Sequence, residues 1–296
     1  MFDIASLQRF LDDSPTPHHV VASAARLLLD AGFTWFDERS EFPDFSGAVV
    51  RGFVARDGAI IAFATSSRAN DRFNVVGAHT DSPGLHLKPR PEGTASNFGT
   101  LDVEVYGSPL LNSWLDRDLD LAGHVVLKNG ARRLFRSNAP VARLPQLAIH
   151  LDRTVNESGL VLDKHAHLRP VWTTGNDDLT LRQWVARATA VPNGEIATVH
   201  AQLVDSTPAS LLGADGSLLA SGRLTPVGKP RPVCNVAIAS DTDCPESVSE
   251  ATSVVIGFTT VEPSVAVSAP LKSLPVSMSV PPKATILAPT ASAGST

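Results

Sequence analysis

The last 72 residues of the chain, from Thr225 to Thr296, restrict its possible folds more than any other feature. Ten of them are prolines, eleven are serines, and the one aromatic residue is Phe258. Because proline fixes φ and lacks a backbone donor, ten prolines spread along this segment interrupt almost any helix or central strand. Such a segment also buries little apolar surface to offset the entropy lost on ordering. We expect residues 225–296 to be either a disordered tail or the product of a shifted reading frame, and favour the second.

The overall composition is that of an ordinary globular protein. The 296 residues are 43% hydrophobic and 19% charged, which is enough for a sizeable core. The net charge is −5 and the longest basic run is Arg132-Arg133, which argues against nucleic acid or an anionic membrane as partner. No apolar stretch reaches the roughly 18 residues of a membrane span, and Met1-Phe2-Asp3 does not resemble a signal peptide. Two cysteines, Cys234 and Cys244, form neither a disulfide framework nor a zinc ribbon, so we expect a reducing cytoplasm.

The first 90 residues show the periodicities of an α/β domain. Helical spacing and alternation predict, in chain order, helices at 4–11 and 20–29 and strands at 47–55, 59–64 and 73–78. Gly32 is placed to close the second helix, and Asp57-Gly58 is a good turn between the first two strands. Residues 73–78 form a short apolar run, which predicts a buried parallel strand.

From about residue 90 the pattern changes to short alternating runs divided by glycine and asparagine. The predicted elements here are strands at 101–106, 123–128, 132–135 and 196–205, an extended segment at 145–151 and a helix at 179–189. The predicted fold class is therefore α/β with an inserted β-rich domain. The predicted divisions are 1–89 for the first part of the α/β domain, 90–205 for the β-rich domain, 206–224 for the return to the α/β domain, and 225–296 for the tail.

The strongest local signal for chemistry is the pair His79-x-Asp81, directly after the apolar run. In α/β sheets, ligands and metals gather outside the carboxyl ends of the strands. A histidine there presents a ring nitrogen to a metal, and a carboxylate two residues on fixes its tautomer. The alternative is a polar turn in which Asp81 caps local backbone before Pro83. The spacing alone leaves both open.

Longer motifs around this pair resemble one family of metallopeptidases. They are Ser14-Pro15-Thr16-Pro17, the stretch from Val75 to Gly84, Lys88-Pro89, the stretch from Val103 to Gly107, the stretch from Leu111 to Leu119, and the stretch from Leu144 to Leu151. The motifs keep their order from about residue 7 to about residue 224, roughly three quarters of the chain. On these residues the chain is identified as a member of the aspartyl aminopeptidase family.

The resemblance implies a fold, an activity and a set of site residues. The fold is a catalytic α/β domain of the dizinc exopeptidase type, interrupted by a β-rich dimerisation domain. The activity is zinc-dependent release of single N-terminal residues, often acidic ones, from peptide substrates by a large cytoplasmic homo-oligomer. Carried over by position, His79 is a ligand of one of two zinc ions and Asp81 is the catalytic carboxylate that orients it. His150 is the substrate-binding histidine offered to a neighbouring subunit; a histidine satisfied between apolar Ile149 and Leu151 is the alternative.

The chain departs from the family pattern directly after Leu224. The family continues with an Asp-Asn pair that supplies the bridging aspartate, whereas Thr225-Pro226 follow here. The family's Glu-Glu pair, a general base and a ligand, has no counterpart, and no histidine follows His200. One imidazole and its supporting acid cannot hold a zinc pair, because several charged ligands must offset metal desolvation. We therefore expect this incomplete catalytic domain to form at most a partial zinc site and to hydrolyse no peptides.

Two other functional hypotheses stay open. One is a non-catalytic interaction protein that dimerises through the β-rich domain, with intact subunits among its partners. The other is a natural two-part protein whose tail serves as a flexible linker.

Three weaker motifs have ordinary structural explanations. Asp116-Arg117-Asp118 with Asp120 is more typical of a solvated or ion-paired segment than of a cation site. His165-x-His167 predicts an exposed loop pair, and His18-His19 predicts the start of a helix.

Overall fold

The computed structural model describes residues 3–44, 49–65, 74–137, 139–175 and 179–223, together with the backbone of two strands at 237–239 and 254–259. Its helices are α1 Ile4–Asp12, α2 Pro17–Asp30, α3 Val155–Ser158 and α4 Leu181–Thr189. Among these residues, no helix combines the length and the apolar character needed to span a membrane.

The two N-terminal helices form as the periodicity predicts, because each has a strong start and a clear end. The carboxylate of Asp3 accepts a hydrogen bond from the Ser6 amide and caps α1. Thr16 caps α2, and Pro17 occupies the first turn, where its missing N–H has no cost. Gly32, at φ +79°, ends the second helix in a left-handed conformation that glycine adopts without strain. His18 and His19 begin α2, as predicted.

The first sheet contains six strands in the order β1-β2-β3-β15-β4-β14. Their bounds are β1 Thr34–Trp35, β2 Arg51–Arg56, β3 Ala59–Ala64, β4 Asn74–His79, β14 Ala237–Ala239 and β15 Val254–Thr259. β2 and β3 form the predicted hairpin, with Asp57 at φ +49° in its turn. A small core of Val21, Phe53, Ile60 and Ala62 joins α2 to this hairpin.

The prediction of a buried strand at 73–78 is correct in position and wrong in burial. β4 covers Asn74–His79, but Val75 is 37% exposed and the following residues through His79 are only half-buried. Among the described residues, α2 packs mainly on β1, β2 and β3, which leaves β4 less covered. Phe73, the first residue of the predicted run, lies outside the described residues.

Two segments of the proline-rich region are strands of this sheet. β15 lies between β3, to which it is antiparallel, and β4, to which it is parallel, and β14 pairs with β4. The expectation that prolines exclude central strands fails at 254–259 because that segment lies in the long proline-free interval between Pro245 and Pro263. The rest of the region lies outside the described residues.

The second sheet contains seven strands in the order β11-β5-β6-β10-β9-β7-β8. Their bounds are β5 Gly84–Ala95, β6 Phe98–Tyr106, β7 Asp118–Leu127, β8 Arg132–Arg136, β9 Ala142–Arg143, β10 Val171–Thr173 and β11 Ile196–Asp205. Because β11 pairs with both β5 and β7, the sheet closes on itself. β5 crosses the predicted division at residues 89 and 90, and the division into domains stays a prediction.

The closed sheet encloses the larger hydrophobic core. Its fully buried members include Leu85, Leu101, Leu119, Val125 and Leu203. Helix α4 adds Leu181 and Val185 to this core and begins with a capping box between Thr180 and Gln183. A separate hairpin of β12 Ser210–Leu212 and β13 Leu218–Ala220 follows β11.

Polar contacts tie the N-terminal helices to the second sheet. The Arg136 guanidinium donates to the Asp12 carbonyl oxygen over 2.7 Å, and the Gln202 amide donates to the Pro15 carbonyl oxygen over 3.1 Å. The Asp12 carboxylate accepts from the Ala209 amide over 2.7 Å. The turn between α1 and α2 is therefore held against β8 and β11.

Candidate metal centre

His79 and Asp81 lie at the carboxyl end of β4 and face each other. His79 is the last residue of the strand, and Asp81 lies two residues further on. Between them Thr80 is buried, and its hydroxyl donates to the Gly58 carbonyl oxygen over 2.7 Å. This bond anchors the turn to the β2–β3 hairpin and leaves the His79 and Asp81 side chains only partly buried, 31% and 16% exposed.

The contacts of His79 determine which ring nitrogen carries its proton. Nδ1 lies 2.9 Å from the Asp81 carbonyl oxygen and 3.1 Å from Asp81 Oδ1. A carbonyl oxygen only accepts hydrogen bonds, so Nδ1 must donate. In the neutral ring the lone pair is then on Nε2, which is the nitrogen available to a metal. This is the tautomer that a metal ligand requires, and the role of His79 as a ligand stays a prediction.

The second carboxylate oxygen of Asp81 is bound by a residue that the sequence did not single out. The Tyr106 hydroxyl donates to Asp81 Oδ2 over 2.8 Å. Tyr106 is the last residue of β6 and pairs with Gly84 at the start of β5. Its ring stacks on His86, with centroids 4.7 Å apart and planes 16° from parallel. The family-like stretch from Val103 to Gly107 contains Tyr106 and was the signal that could have led to it.

At this site the described residues supply one possible metal ligand, His79, and one carboxylate that supports it, Asp81. Within the part of the chain that the structure describes, no group of three or more His, Cys, Asp or Glu is arranged to hold a metal ion. The strands on either side of β4 read Val-Val-Ile-Gly-Phe-Thr and Ala-Ile-Ala, which contain no ligand residue types. A zinc pair therefore does not fit the described residues alone.

His150 lies on an exposed turn at the far end of its motif. The segment 145–151 was predicted to be extended, but Leu144 makes an isolated bridge to Leu115, and residues 149–151 form a turn. Ile149 and Leu151 are 52% and 66% exposed, so His150 is not packed within an apolar segment. Among the contacts of the described residues, none joins His150 to the His79–Asp81 pair.

The acidic motif at 116–120 is ion-paired, as its alternating charges indicated. Arg117 binds Asp205, and Arg136 binds Asp120 over 2.9 Å. Arg143 lies 3.5 Å from Asp118. Asp118 and Asp120 therefore face cations of the chain itself, and Asp116 Oδ1 accepts from the Gln146 amide over 3.1 Å.

The second weak motif also behaves as predicted. The backbone amides of His165 and Ala166 donate to the Asp163 carboxylate, and the Asp163 amide donates to His167 Nδ1 over 2.9 Å. These bonds close an exposed loop that contains both histidines of the motif.

A group of histidines that the sequence did not bring together lies between α2 and the second sheet. The rings of His18, His124 and His200 form what we call the histidine stack, with centroids 4.0 Å apart for the first pair and 4.9 Å for the second. His19 lies beside it, and its Nδ1 is 2.8 Å from the Thr16 hydroxyl. The planes of the first pair are 40° apart and those of the second 17°, and among the described residues no three such side chains are arranged to hold a metal ion.

Burial lowers the pKa of His18, His19 and His124. The pKa of His124 is lowered to about 4, first by desolvation and then by the positive charges that His18, His200 and His19 would carry. Desolvation also lowers the pKa of His19 to about 4, with help from His18, Arg136 and Arg223. The pKa of His18 is lowered for the same first reason.

The described fold combines a first sheet, in which a histidine and a carboxylate follow strand β4, with a second sheet that closes on itself. A profile of the family described as aminopeptidase I zinc metalloprotease (M18) matches residues 10–250. The chain belongs to this M18 family. The match extends beyond Leu224, where the quoted motifs end.

Individual relatives agree with this assignment. Over 222 residues the chain is 43% identical to a probable M18 family aminopeptidase 2 of Streptomyces avermitilis, covering 74% of this chain and 51% of that one. The chain thus spans about half the length of this curated relative. Ape4 in its complex with Nbr1 is 27% identical with a TM-score of 0.68, covering 73% of this chain and 46% of that one. The S. cerevisiae mApe1 dodecamer, at 20% identity and a TM-score of 0.62, covers 86% of this chain and 59% of that one and shares the fold.

Proposed function

We propose that this chain carries one corner of the active site of a zinc-dependent aminopeptidase that releases single N-terminal residues, often acidic ones, from peptides. The observation that carries the proposal is the orientation of His79, whose Nδ1 donates to Asp81 and whose Nε2 therefore carries the lone pair that a metal would bind. Membership of a family of zinc metallopeptidases gives this orientation its functional meaning.

Each of the three site residues has a distinct role in this proposal. His79 would hold one zinc through Nε2, and Asp81 fixes the ring and raises its basicity. His150, on its exposed turn, would reach the active site of a neighbouring subunit and hold the substrate there. When bound, a zinc pair lowers the pKa of a shared water towards neutrality and polarises the scissile carbonyl.

The proposal also includes the inactivity of this particular chain. At the end of β4 the described residues provide one imidazole and one supporting acid, and no histidine follows His200 in the sequence. The acids after Leu224 are Asp241, Asp243, Glu246, Glu250 and Glu262, none of them adjacent to another. Without a bridging carboxylate and a general base, the chain can neither bind two metals nor activate a water for attack.

Incubation of the purified chain with zinc and an N-terminal aspartyl or glutamyl peptide tests this part. We expect no release of the N-terminal residue above the rate of the His79→Gln variant. If the wild-type chain shows turnover that both a chelator and His79→Gln abolish, the proposed inactivity is wrong. The assignment of His79 as a metal ligand then still stands. Turnover unaffected by His79→Gln would contradict the site itself.

A second candidate function is a non-catalytic dimerising fragment of the same family. The closed second sheet has a complete core, whereas the metal centre is partial. The loop around His150 also exposes Leu147, Ile149 and Leu151 at 64%, 52% and 66%, and apolar exposure of this kind is typical of interfaces. Under this proposal the chain forms a homo-oligomer through the β-rich domain in the cytoplasm. Light scattering during gel filtration distinguishes a dimer or larger assembly from a monomer.

A further inference from the structure

We propose that Tyr106 is a positioning residue of the metal centre, because its hydroxyl holds the Asp81 carboxylate in the orientation that fixes the His79 ring. This inference rests on the proposed function of His79 as a zinc ligand. Tyr106 itself touches neither a metal nor a substrate in this account. It acts through Asp81.

The two oxygens of Asp81 have separate partners. Oδ1 faces His79 Nδ1 at 3.1 Å, and Oδ2 accepts from the Tyr106 hydroxyl at 2.8 Å. A carboxylate bound on both oxygens cannot rotate without breaking one bond, so the tyrosine determines where Oδ1 points. The Asp81 side chain is 16% exposed, which limits competition from water for these bonds.

The position of Tyr106 is fixed by the start of the second sheet. Tyr106 pairs with Gly84, three residues after Asp81, so the strand register sets the distance between the two side chains. Gly107, at φ +76°, lies so close to Pro83 that an added Cβ would be 3.0 Å from the Pro83 Cα. Stacking on His86 then sets the direction of the tyrosine ring. The second sheet thereby orients a residue at the end of the first.

Replacing Tyr106 by phenylalanine separates positioning from packing. Tyr106→Phe keeps the ring and its stacking on His86 and removes only the hydroxyl. If the residue served packing alone, this variant would leave His79 unchanged. Glu104→Gln, on the same strand and 64% exposed in its side chain, is the matched control.

The first readout is nuclear magnetic resonance of ¹⁵N-labelled histidines, with His79 assigned by the His79→Gln variant. In the wild-type chain we expect well-separated Nδ1 and Nε2 resonances, which indicate a single tautomer. In Tyr106→Phe we expect the two resonances to move towards each other and the zinc dissociation constant of the His79 site to rise about tenfold. Unchanged His79 resonances and unchanged zinc affinity in a folded Tyr106→Phe protein would overturn the inference.

The second readout does not depend on the folding of Tyr106→Phe. Tyr106 is the one tyrosine of the chain, so 3-fluorotyrosine labelling gives a single ¹⁹F resonance. We expect Asp81→Asn to shift that resonance and Glu104→Gln to leave it in place. A ¹⁹F resonance that stays at the same position in Asp81→Asn would overturn the inference.

The same measurements separate this inference from the proposed function. If zinc does not bind at His79 in the wild-type chain, the proposed metal role fails. Dependence of the His79 resonances on Tyr106 in that case still supports the positioning contact. Zinc binding at His79 with no dependence on Tyr106 overturns the positioning role and leaves the metal role intact.

Discussion

On acidification from about pH 7.5 to about pH 5, we expect the free energy of unfolding to fall by roughly 2 kcal/mol through His124 alone. The pKa of His124 is lowered to about 4 in the folded chain, against 6.5 for an ordinary histidine. Below the unfolded pKa the unfolded state binds the proton more readily, so stability present above about pH 6.5 is lost progressively towards pH 4. His19, with its pKa also lowered to about 4, acts in the same direction.

The physical cause is first the burial of the ring and then the nearby groups that can carry positive charge. His124 on β7 lies against His18 of α2 and His200 of β11. Arg132 lowers the pKa of His18, and Arg136 lowers that of His19, so the surroundings already carry positive charge. A proton on His124 therefore loses hydration and gains repulsion at once.

Urea unfolding at both pH values measures this effect. His124→Phe keeps a ring in the stack but does not titrate, so we expect its loss of stability on acidification to be smaller by about 2 kcal/mol. His150→Phe, on the exposed turn, is the matched control and should retain the full acid sensitivity of the wild-type chain. Equal acid sensitivity of His124→Phe and the wild-type chain would contradict the burial of that ring.

Gly123→Ala is expected to lower the free energy of unfolding by about 3 kcal/mol. Gly123 lies on β7 directly opposite Ala201 of β11. An added Cβ would overlap the His200 carbonyl oxygen and lie 2.7 Å from the Ala201 Cα. Because these are backbone atoms of a paired strand, the neighbour cannot move aside without weakening the contact that closes the second sheet.

Gly194→Ala is the matched control for this substitution. Gly194 lies in a short 3-10 turn before β11, and an added Cβ there meets no described atom within 4 Å. We expect Gly194→Ala to change stability by less than about 1 kcal/mol. Denaturation midpoints of the two variants give the comparison; similar values would contradict the close approach of β7 and β11.

The elements with strong local signals were predictable from the sequence. Helices α1 and α2 have capping residues at Asp3 and Thr16, and the β2–β3 hairpin has Asp57-Gly58 at its turn. These signals act within a few residues of one another, so no knowledge of the remote chain is needed.

Elements that depend on remote pairing were missed or misjudged. β5 was not predicted because Pro89 and Pro91 interrupt its pattern; the structure accommodates them with a register shift between Leu87 and Glu92. The prolines around β15 concealed a strand whose place between β3 and β4 depends on residues nearly two hundred positions away. Prolines limit where a strand runs without excluding one between them.

The contacts of the candidate site were likewise predictable only where the two residues are close in sequence. His79 and Asp81 are two residues apart, so the motif predicted their contact. Tyr106 reaches Asp81 only through the pairing of β5 with β6, and the histidine stack combines α2, β7 and β11. Sequence spacing contains no information on such contacts until the register of the strands is known.

A zinc titration of the ¹⁵N-histidine-labelled chain identifies the first imidazole that the metal reaches. If His79 is the surviving ligand of a metal centre, its Nε2 resonance moves at the lowest zinc concentrations, before those of the exposed His165 and His167. Zinc that perturbs the exposed pair and leaves His79 unmoved would contradict the assignment of His79 as a ligand.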